Sequence, residues 1–125
     1  MGEQSNDLVD PTAFEVGKHQ VDQAVVLTVS GEVDMLSSPL LADAIQTALA
    51  TKPAALIVDL SKVGFLVSAG MTVLVTTQAE VEPPTQFAVV ANGSATSRPI
   101  KLMGIDSVLS LYSSLDGALS GIAGE

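Results

Sequence analysis

The sequence predicts an α/β fold in which a mixed sheet of about five strands carries about four helices. The first observation is the run of Leu, Ile and Val at residues 56–58, which is typical of a strand covered on both faces. The second is the predicted order of elements, two strands and a helix followed by alternating strands and helices. The third is an aromatic content of only 3%. A core of small aliphatic side chains favours regular packing of helices on a sheet.

The first half of the chain predicts a hairpin, a helix and the central strand. Residues 14–19 and 25–30 are two strands whose short link indicates an antiparallel hairpin at the sheet edge. Ser38 followed by Pro39 indicates a helix start, and Leu40 begins the apolar stripe of that helix. The central strand is then expected to leave the sheet through a polar turn.

The polar residues Asp59 and Ser61 mark that turn, and the apolar spacing changes to a helical period from Ala69 onward. Ser68 is therefore the predicted N-cap of the second helix. The loop at residues 80–85 contains two prolines and leads to a further strand.

The last elements are a third helix, a short strand and a terminal helix. Ser94 and Ser97 are candidate caps for the third helix, and its start stays open because Pro99 lacks a backbone donor. Ser113 or Ser114 is the predicted cap of the terminal helix. We expect a single domain over residues 11–125 and a frayed segment over residues 1–10.

Composition excludes several functions. The chain has 14 acidic and 5 basic residues and a formal net charge of −9. We expect no nucleic-acid partner, because phosphate backbones require clustered Lys and Arg, and a basic protein partner fits better. There is no cysteine, which excludes disulfides and thiolate metal sites. No apolar run approaches the roughly 18 residues of a membrane span, and no signal peptide is recognisable, so we expect a cytoplasmic protein without a membrane contact.

Several polar residues have both a structural and a functional interpretation. A serine that opens a helix is commonly only a cap, but at Ser68 the helix dipole would also tolerate a phosphoryl group. Glu32 and Asp34 are most simply a solvated turn, and the alternative is a metal or acid–base pair. Arg98 and Lys101 either contact an acidic partner or keep the third helix soluble.

Three segments, in order, carry a family resemblance. DLSKVGFLVSAGMTVL at residues 59–74 resembles the phosphorylation segment of STAS-domain anti-sigma factor antagonists, where a strand ending in Asp precedes Asp-Ser-Ser-Gly or Asp-Ser-Thr-Gly at a helix start. GEVD at residues 31–34 resembles the Gly-Glu-hydrophobic-Asp turn of that family. FAVVANGSATSRPIKLMGID at residues 87–106 resembles its fourth strand and third helix. Val67 replaces the usual Asp, and Ala69 replaces the usual Ser or Thr.

The resemblance implies a STAS-like fold and a regulatory protein that is not an enzyme. Such an antagonist binds an anti-sigma factor, often a serine kinase of the histidine-kinase-like ATPase type, and so frees a sigma factor for transcription. It implies that phosphorylation of Ser68 ends the interaction, and that no cofactor is needed because ATP binds the partner. The implied partner-binding residues are Glu32, Asp34, Val67, Ser68, Ala69, Met71 and Thr72. Met71 is also a candidate for filling the core.

Two alternatives stay open. With Val67 in place of the acid, the protein is a constitutive antagonist that is not phosphorylated. Alternatively, it is a STAS subunit or module of a transport system, for example docked on a lipid-transport ATPase, since the fold would be the same. An enzymatic function fits the sequence less well. Nucleotide hydrolysis would need a GxxxxGK[ST] loop, which does not accompany the central strand, and a serine hydrolase would need a GxSxG context, which Ser68 lacks.

Overall fold

The fold is built on one five-stranded mixed sheet. The computed structural model describes residues 13–123, so the segment 1–10 lies outside the described residues. The strands are β1 (Glu15–Val21), β2 (Ala24–Val33), β3 (Ala55–Leu66), β4 (Gln86–Val90) and β5 (Leu111–Tyr112). They lie side by side in chain order, with β1 antiparallel to β2 and each later pair parallel. The predicted edge hairpin and mixed sheet are confirmed.

Helices cover both faces of the sheet. They are α1 (Ser38–Leu49), α2 (Ser68–Glu80), α3 (Ser97–Leu102) and α4 (Leu115–Ala123), with a 3-10 turn at Ile105–Ser107. On one face Val58 packs in a cluster with Ile45 of α1 and Leu74 of α2. On the other face Ile57 packs in a cluster with Ala118 of α4. Burial on both faces explains the continuous apolar run in β3.

The central strand is longer than predicted. β3 does not leave the sheet at Asp59 and Ser61 but continues to Leu66, and two register shifts against β2 each give it one extra residue. Asp59 Oδ1 accepts hydrogen bonds from the Ser61 backbone N–H at 3.0 Å and from its hydroxyl at 2.7 Å. The predicted polar turn was therefore wrong, because these residues stabilise a β-bulge within the strand.

The predicted cap of α2 was wrong by one residue. Ser68 is the first residue of α2, and the N-cap is Val67, whose backbone is extended with φ −95° and ψ 173°. The predicted start of α1 at Ser38, with Pro39 in its first turn, is confirmed, and the N-cap of this helix is Ser37. At α4 the expected role of Ser114 is confirmed, because its hydroxyl accepts the backbone N–H three residues later at 3.0 Å.

The third helix also begins differently from either candidate. α3 starts at Ser97 after an N-cap at Thr96, so neither Ser94 nor Ser97 is the cap. Pro99 lies in the first turn, where a missing N–H costs no bond within the helix. The proline is thus compatible with a short helix that buries Ile100.

The first turn of α2 approaches the end of β2 closely at Gly70. A Cβ atom at this position would lie 2.5 Å from Val33 Cγ1 and 2.8 Å from Leu66 Cδ1. Because valine is stiff about χ1, the strand end cannot easily make room. The absence of a side chain at Gly70 therefore lets the start of α2 lie against the sheet.

We expect Gly70→Ala to lower the free energy of unfolding by about 1–3 kcal/mol through overpacking. Gly64→Ala is the matched control, since no atom lies within 4 Å of a Cβ there. Urea unfolding of both variants measures the difference. Equal stabilities would contradict the close approach of α2 to β2.

Candidate functional site

The candidate site lies at the carboxyl edge of the parallel strands, where β2 and β3 end side by side. Val33 pairs with Leu66 in the ladder, and its carbonyl oxygen accepts the Val67 N–H at 3.0 Å. Since α2 begins at the next residue, Ser68 lies beside the loop that follows β2. Binding sites of parallel sheets commonly occupy this edge.

Ser68 is exposed at the start of α2. Among residues 13–123, no hydrogen bond involves its hydroxyl, while its carbonyl oxygen accepts the Thr72 hydroxyl at 3.0 Å. The backbone N–H groups of Ser68 and Ala69 have no acceptor in this described part of the chain, as is usual in the first turn of a helix. The hydroxyl is therefore accessible to another protein.

The predicted neighbours of Ser68 differ in exposure. Thr72 is exposed, whereas Val67 and Ala69 are partly buried. Met71 is only 6% exposed and belongs to the main core cluster. A contact between Met71 and a partner was expected, but its side chain is buried in the core and is not available to one.

The two predicted acidic residues have different environments. Glu32 belongs to β2 and pairs with Phe65 of β3 in the ladder. Asp34 follows the strand, and its Oδ1 accepts the backbone N–H groups of Ser37 at 2.9 Å and Leu36 at 3.0 Å, as well as the Ser37 hydroxyl at 3.1 Å. These hydrogen bonds, above all the one from the Ser37 backbone, hold the pKa of Asp34 below its ordinary value. Asp34 therefore anchors the loop.

The two serines at the start of α1 tighten the same loop. The Ser37 hydroxyl lies 2.8 Å from the Glu32 carbonyl oxygen and accepts the Asp34 N–H at 2.9 Å. The Ser38 hydroxyl donates to the Asp34 carbonyl oxygen at 2.6 Å. Both serines are buried, so their side chains serve the loop rather than a partner.

Sequence reasoning missed a group of exposed apolar side chains at this edge, which we call the apolar loop cluster. It consists of Met35, Leu36, Leu40 and Phe65, whose exposed fractions are 77%, 87%, 55% and 51%. Leu40 and Leu41 were both expected in the core stripe of α1, but only Leu41 of this pair is buried. The sequence does contain an indication of this group, because Met35 and Leu36 lie between Asp34 and the helix start, where turns usually have polar residues.

The described residues were also compared with the other sites that the sequence suggested. Within residues 13–123 no group of three or more His, Asp and Glu side chains is placed to hold a metal ion. Arg98 and Lys101 are both exposed on α3. In the same part of the chain, no helix has the length and apolar character that crossing a membrane requires.

This structure has the sheet order, the helices on both faces and the serine at the start of α2 that the resemblance to STAS domains implies. The family model described as the STAS domain matches residues 15–118. The anti-sigma-F factor antagonist RsfB of Mycobacterium tuberculosis is 43% identical over 114 residues, which cover 91% of this chain and 93% of that protein. The chain belongs to the STAS-domain family of anti-sigma factor antagonists, as the resemblance predicted.

Solved structures agree with this assignment. The crystal structure of an anti-sigma factor antagonist from Mycobacterium paratuberculosis has a TM-score of 0.87 and 41% identity, and the match covers 91% of this chain and 97% of that one. The Bacillus antagonist SpoIIAA is 16% identical and shares the fold. Its unphosphorylated form has a TM-score of 0.71, and the match covers 90% of this chain and 98% of that one. Its phosphorylated form has a TM-score of 0.63, and the match covers 88% of this chain and 99% of that one. The transport alternative is not favoured by these relatives.

We expect Val67→Asp to be more stable than Val67→Ala by about 1 kcal/mol, because a carboxylate at the N-cap accepts an N–H of the first turn. The alanine variant is the control, since both changes remove the same partly buried side chain. Thermal and urea unfolding measure the difference. A value of zero would show that the first turn of α2 gains nothing from a cap.

We also expect the contribution of Asp34 to stability to depend on pH. Its pKa is lowered in the folded protein, so the contribution is complete above the pKa of the unfolded chain, about 3.9, and is lost as the pH falls through the folded pKa. The wild type should therefore exceed Asp34→Asn in unfolding free energy at pH 6, and this excess should shrink below pH 4. Asp43→Asn controls for the loss of one surface charge. An excess that stays constant down to pH 2.5 would contradict the prediction.

Proposed function

We propose that this protein binds an anti-sigma factor through the surface around Ser68, thereby frees a sigma factor, and releases its partner when Ser68 is phosphorylated. The proposal rests on family membership and on the relative that is named an anti-sigma-F factor antagonist. The single observation that carries the switch is the exposed Ser68 hydroxyl at the first residue of α2. The protein acts by binding and not as an enzyme, needs no cofactor or nucleic acid, and works in the cytoplasm.

The start of α2 suits a phosphoryl group. Such a group adds about −1.5 to −2 charge at neutral pH. The N–H groups of Ser68 and Ala69, which have no acceptor in the described part, and the positive end of the helix dipole stabilise that charge. We therefore expect phosphorylation to leave the fold intact. SpoIIAA supports this expectation, because that protein with the same fold is described in both forms.

The exposed face of α2 suits an interface that a charge can break. From Ser68 to Ala79 the helix contains no charged side chain, although the chain as a whole has a net charge of −9. An uncharged face loses little free energy when a partner removes its water, whereas a buried phosphoryl group without a counter-charge costs several kcal/mol. The proposed contacts on and beside this face are Glu32, Asp34, Val67, Ser68, Ala69 and Thr72.

The residues beside Ser68 bear on which kinase could modify it. An enzyme that recognises an Asp before the acceptor finds Val67 here. We propose that the anti-sigma factor is itself the serine kinase, because docking on α2 would then supply the recognition that the flanking acid supplies elsewhere. The constitutive antagonist is the competing outcome, in which binding occurs without phosphorylation.

We expect Ser68→Glu to weaken binding of the anti-sigma factor by at least about tenfold, since a carboxylate would be buried in the interface. Ser68→Ala should bind like the wild type. Ser120→Glu is the matched control, an exposed serine on α4, which covers the opposite face of the sheet from α2. Isothermal titration calorimetry measures the affinities, and thermal unfolding checks that every variant is folded.

Equal binding of the wild type and Ser68→Glu would refute the proposed surface. Mass spectrometry of the native protein tests the switch separately. Phosphate on Ser68 that is lost in Ser68→Ala supports it, whereas an unmodified Ser68 in the presence of the anti-sigma factor and ATP identifies the constitutive antagonist.

A further inference from the structure

The large apolar side chains that the structure leaves exposed fall into two groups. One is the apolar loop cluster of Met35, Leu36, Leu40 and Phe65, and the other consists of Leu102, Met103 and Val108 at the end of α3 and beyond. Single exposed apolar residues are normal on protein surfaces, but a group of them indicates a contact. Because the loop cluster has the more exposed pair, Met35 and Leu36, it needs an explanation first.

The loop that presents this pair is held in place rather than loose. The Asp34 carboxylate accepts the Leu36 N–H at 3.0 Å from one side, and the Ser38 hydroxyl donates to the Asp34 carbonyl oxygen at 2.6 Å from the other. Met35 and Leu36 are thus exposed on a short, hydrogen-bonded segment. When a partner binds them, the loop backbone therefore loses little conformational entropy, which is the usual advantage of a preorganised anchor.

The cluster lies within reach of the same interface as Ser68. Val33 and Val67 are joined by a hydrogen bond of 3.0 Å, Met35 is two residues from Val33, and Ser68 is one residue from Val67. With 3.8 Å between consecutive Cα atoms, Met35 and Ser68 are at most about 20 Å apart. A standard interface buries about 800 Å² on each partner, which corresponds to a patch about 30 Å across. One partner can therefore cover both.

The charges around the cluster indicate which kind of partner surface would be complementary to it. Glu32 and Asp43 lie close to the cluster in sequence, and no Lys or Arg occurs between Lys18 and Lys52. The one cation of β3, Lys62, lines a different hollow with His19. A self-contact through this patch would place the acids of two copies opposite each other, which is unfavourable. A partner with basic residues around an apolar depression is complementary.

We propose that the apolar loop cluster is the main anchor for the anti-sigma factor and docks into an apolar socket that is rimmed by Lys or Arg. The proposal rests on the proposed function and adds to it the residues that supply affinity. Ser68 then acts as the switch at one side of an interface whose binding energy comes largely from Met35 and Leu36.

The chain offers a matched control for the test. The double variant Met35→Ser, Leu36→Ser removes an exposed Met and an exposed Leu from the cluster, and Leu102→Ser, Met103→Ser removes the same two residue types at α3. Calorimetry with the purified anti-sigma factor should show at least about tenfold weaker binding for the first variant and unchanged binding for the second. Both should unfold within a few degrees of the wild type, because the substituted side chains are exposed.

Each other outcome overturns the anchor. If the wild type and the first variant bind equally, the cluster supplies no affinity although the proposed function stands. If only the α3 variant is weakened, the anchor is at α3. If light scattering shows a wild-type dimer that the first variant abolishes without changing affinity, the cluster is a contact between copies of this chain. If the wild type itself does not bind, the proposed function fails as well.

Discussion

The carboxyl ends of β2 and β3 must lie against the first turn of α2, and the rest of the site depends on this constraint. One hydrogen bond, from the Val67 N–H to the Val33 carbonyl oxygen at 3.0 Å, joins the two strand ends exactly where the helix begins. Gly70 allows the helix to pack there without a side chain in the way. The position of Ser68 and the path of the Met35–Leu36 loop both follow from this junction, which places them at the same end of the sheet.

The bulges of β3 bring the strand to that junction. Its last buried side chains, Leu60, Val63 and Leu66, are three residues apart, whereas a regular strand would place every second residue on one face. Each of the two register shifts against β2 inserts one residue and restores the inward direction. Without them, Leu66 would not fall opposite Val33, and α2 would begin at a different point along the sheet.

These features explain what the sequence could predict. The apolar run at the start of β3 and the stripe of α1 follow directly from burial, so the sheet and helices were predictable. The extent of β3 was not, because Asp59 and Ser61 stabilise a bulge with the same residue types that commonly end a strand. Similarly, Ser68 was taken for a cap because serine is favoured there, but the backbone turns at Val67. The exposure of Leu40 beside the buried Leu41 could not be predicted, because it depends on how α1 is rotated against the sheet.

The surface of the site combines two properties that would make the proposed charge switch at Ser68 effective. The face of α2 and the apolar loop cluster have little charge of their own, whereas the remainder of the chain is strongly acidic. The acidic remainder opposes self-association through the exposed apolar side chains, because like charges repel. On an uncharged face, a single phosphoryl group changes the local potential far more than it would among existing carboxylates. The same group at the helix start would be stabilised by the backbone, so the free energy of binding would change greatly while the free energy of folding would change little.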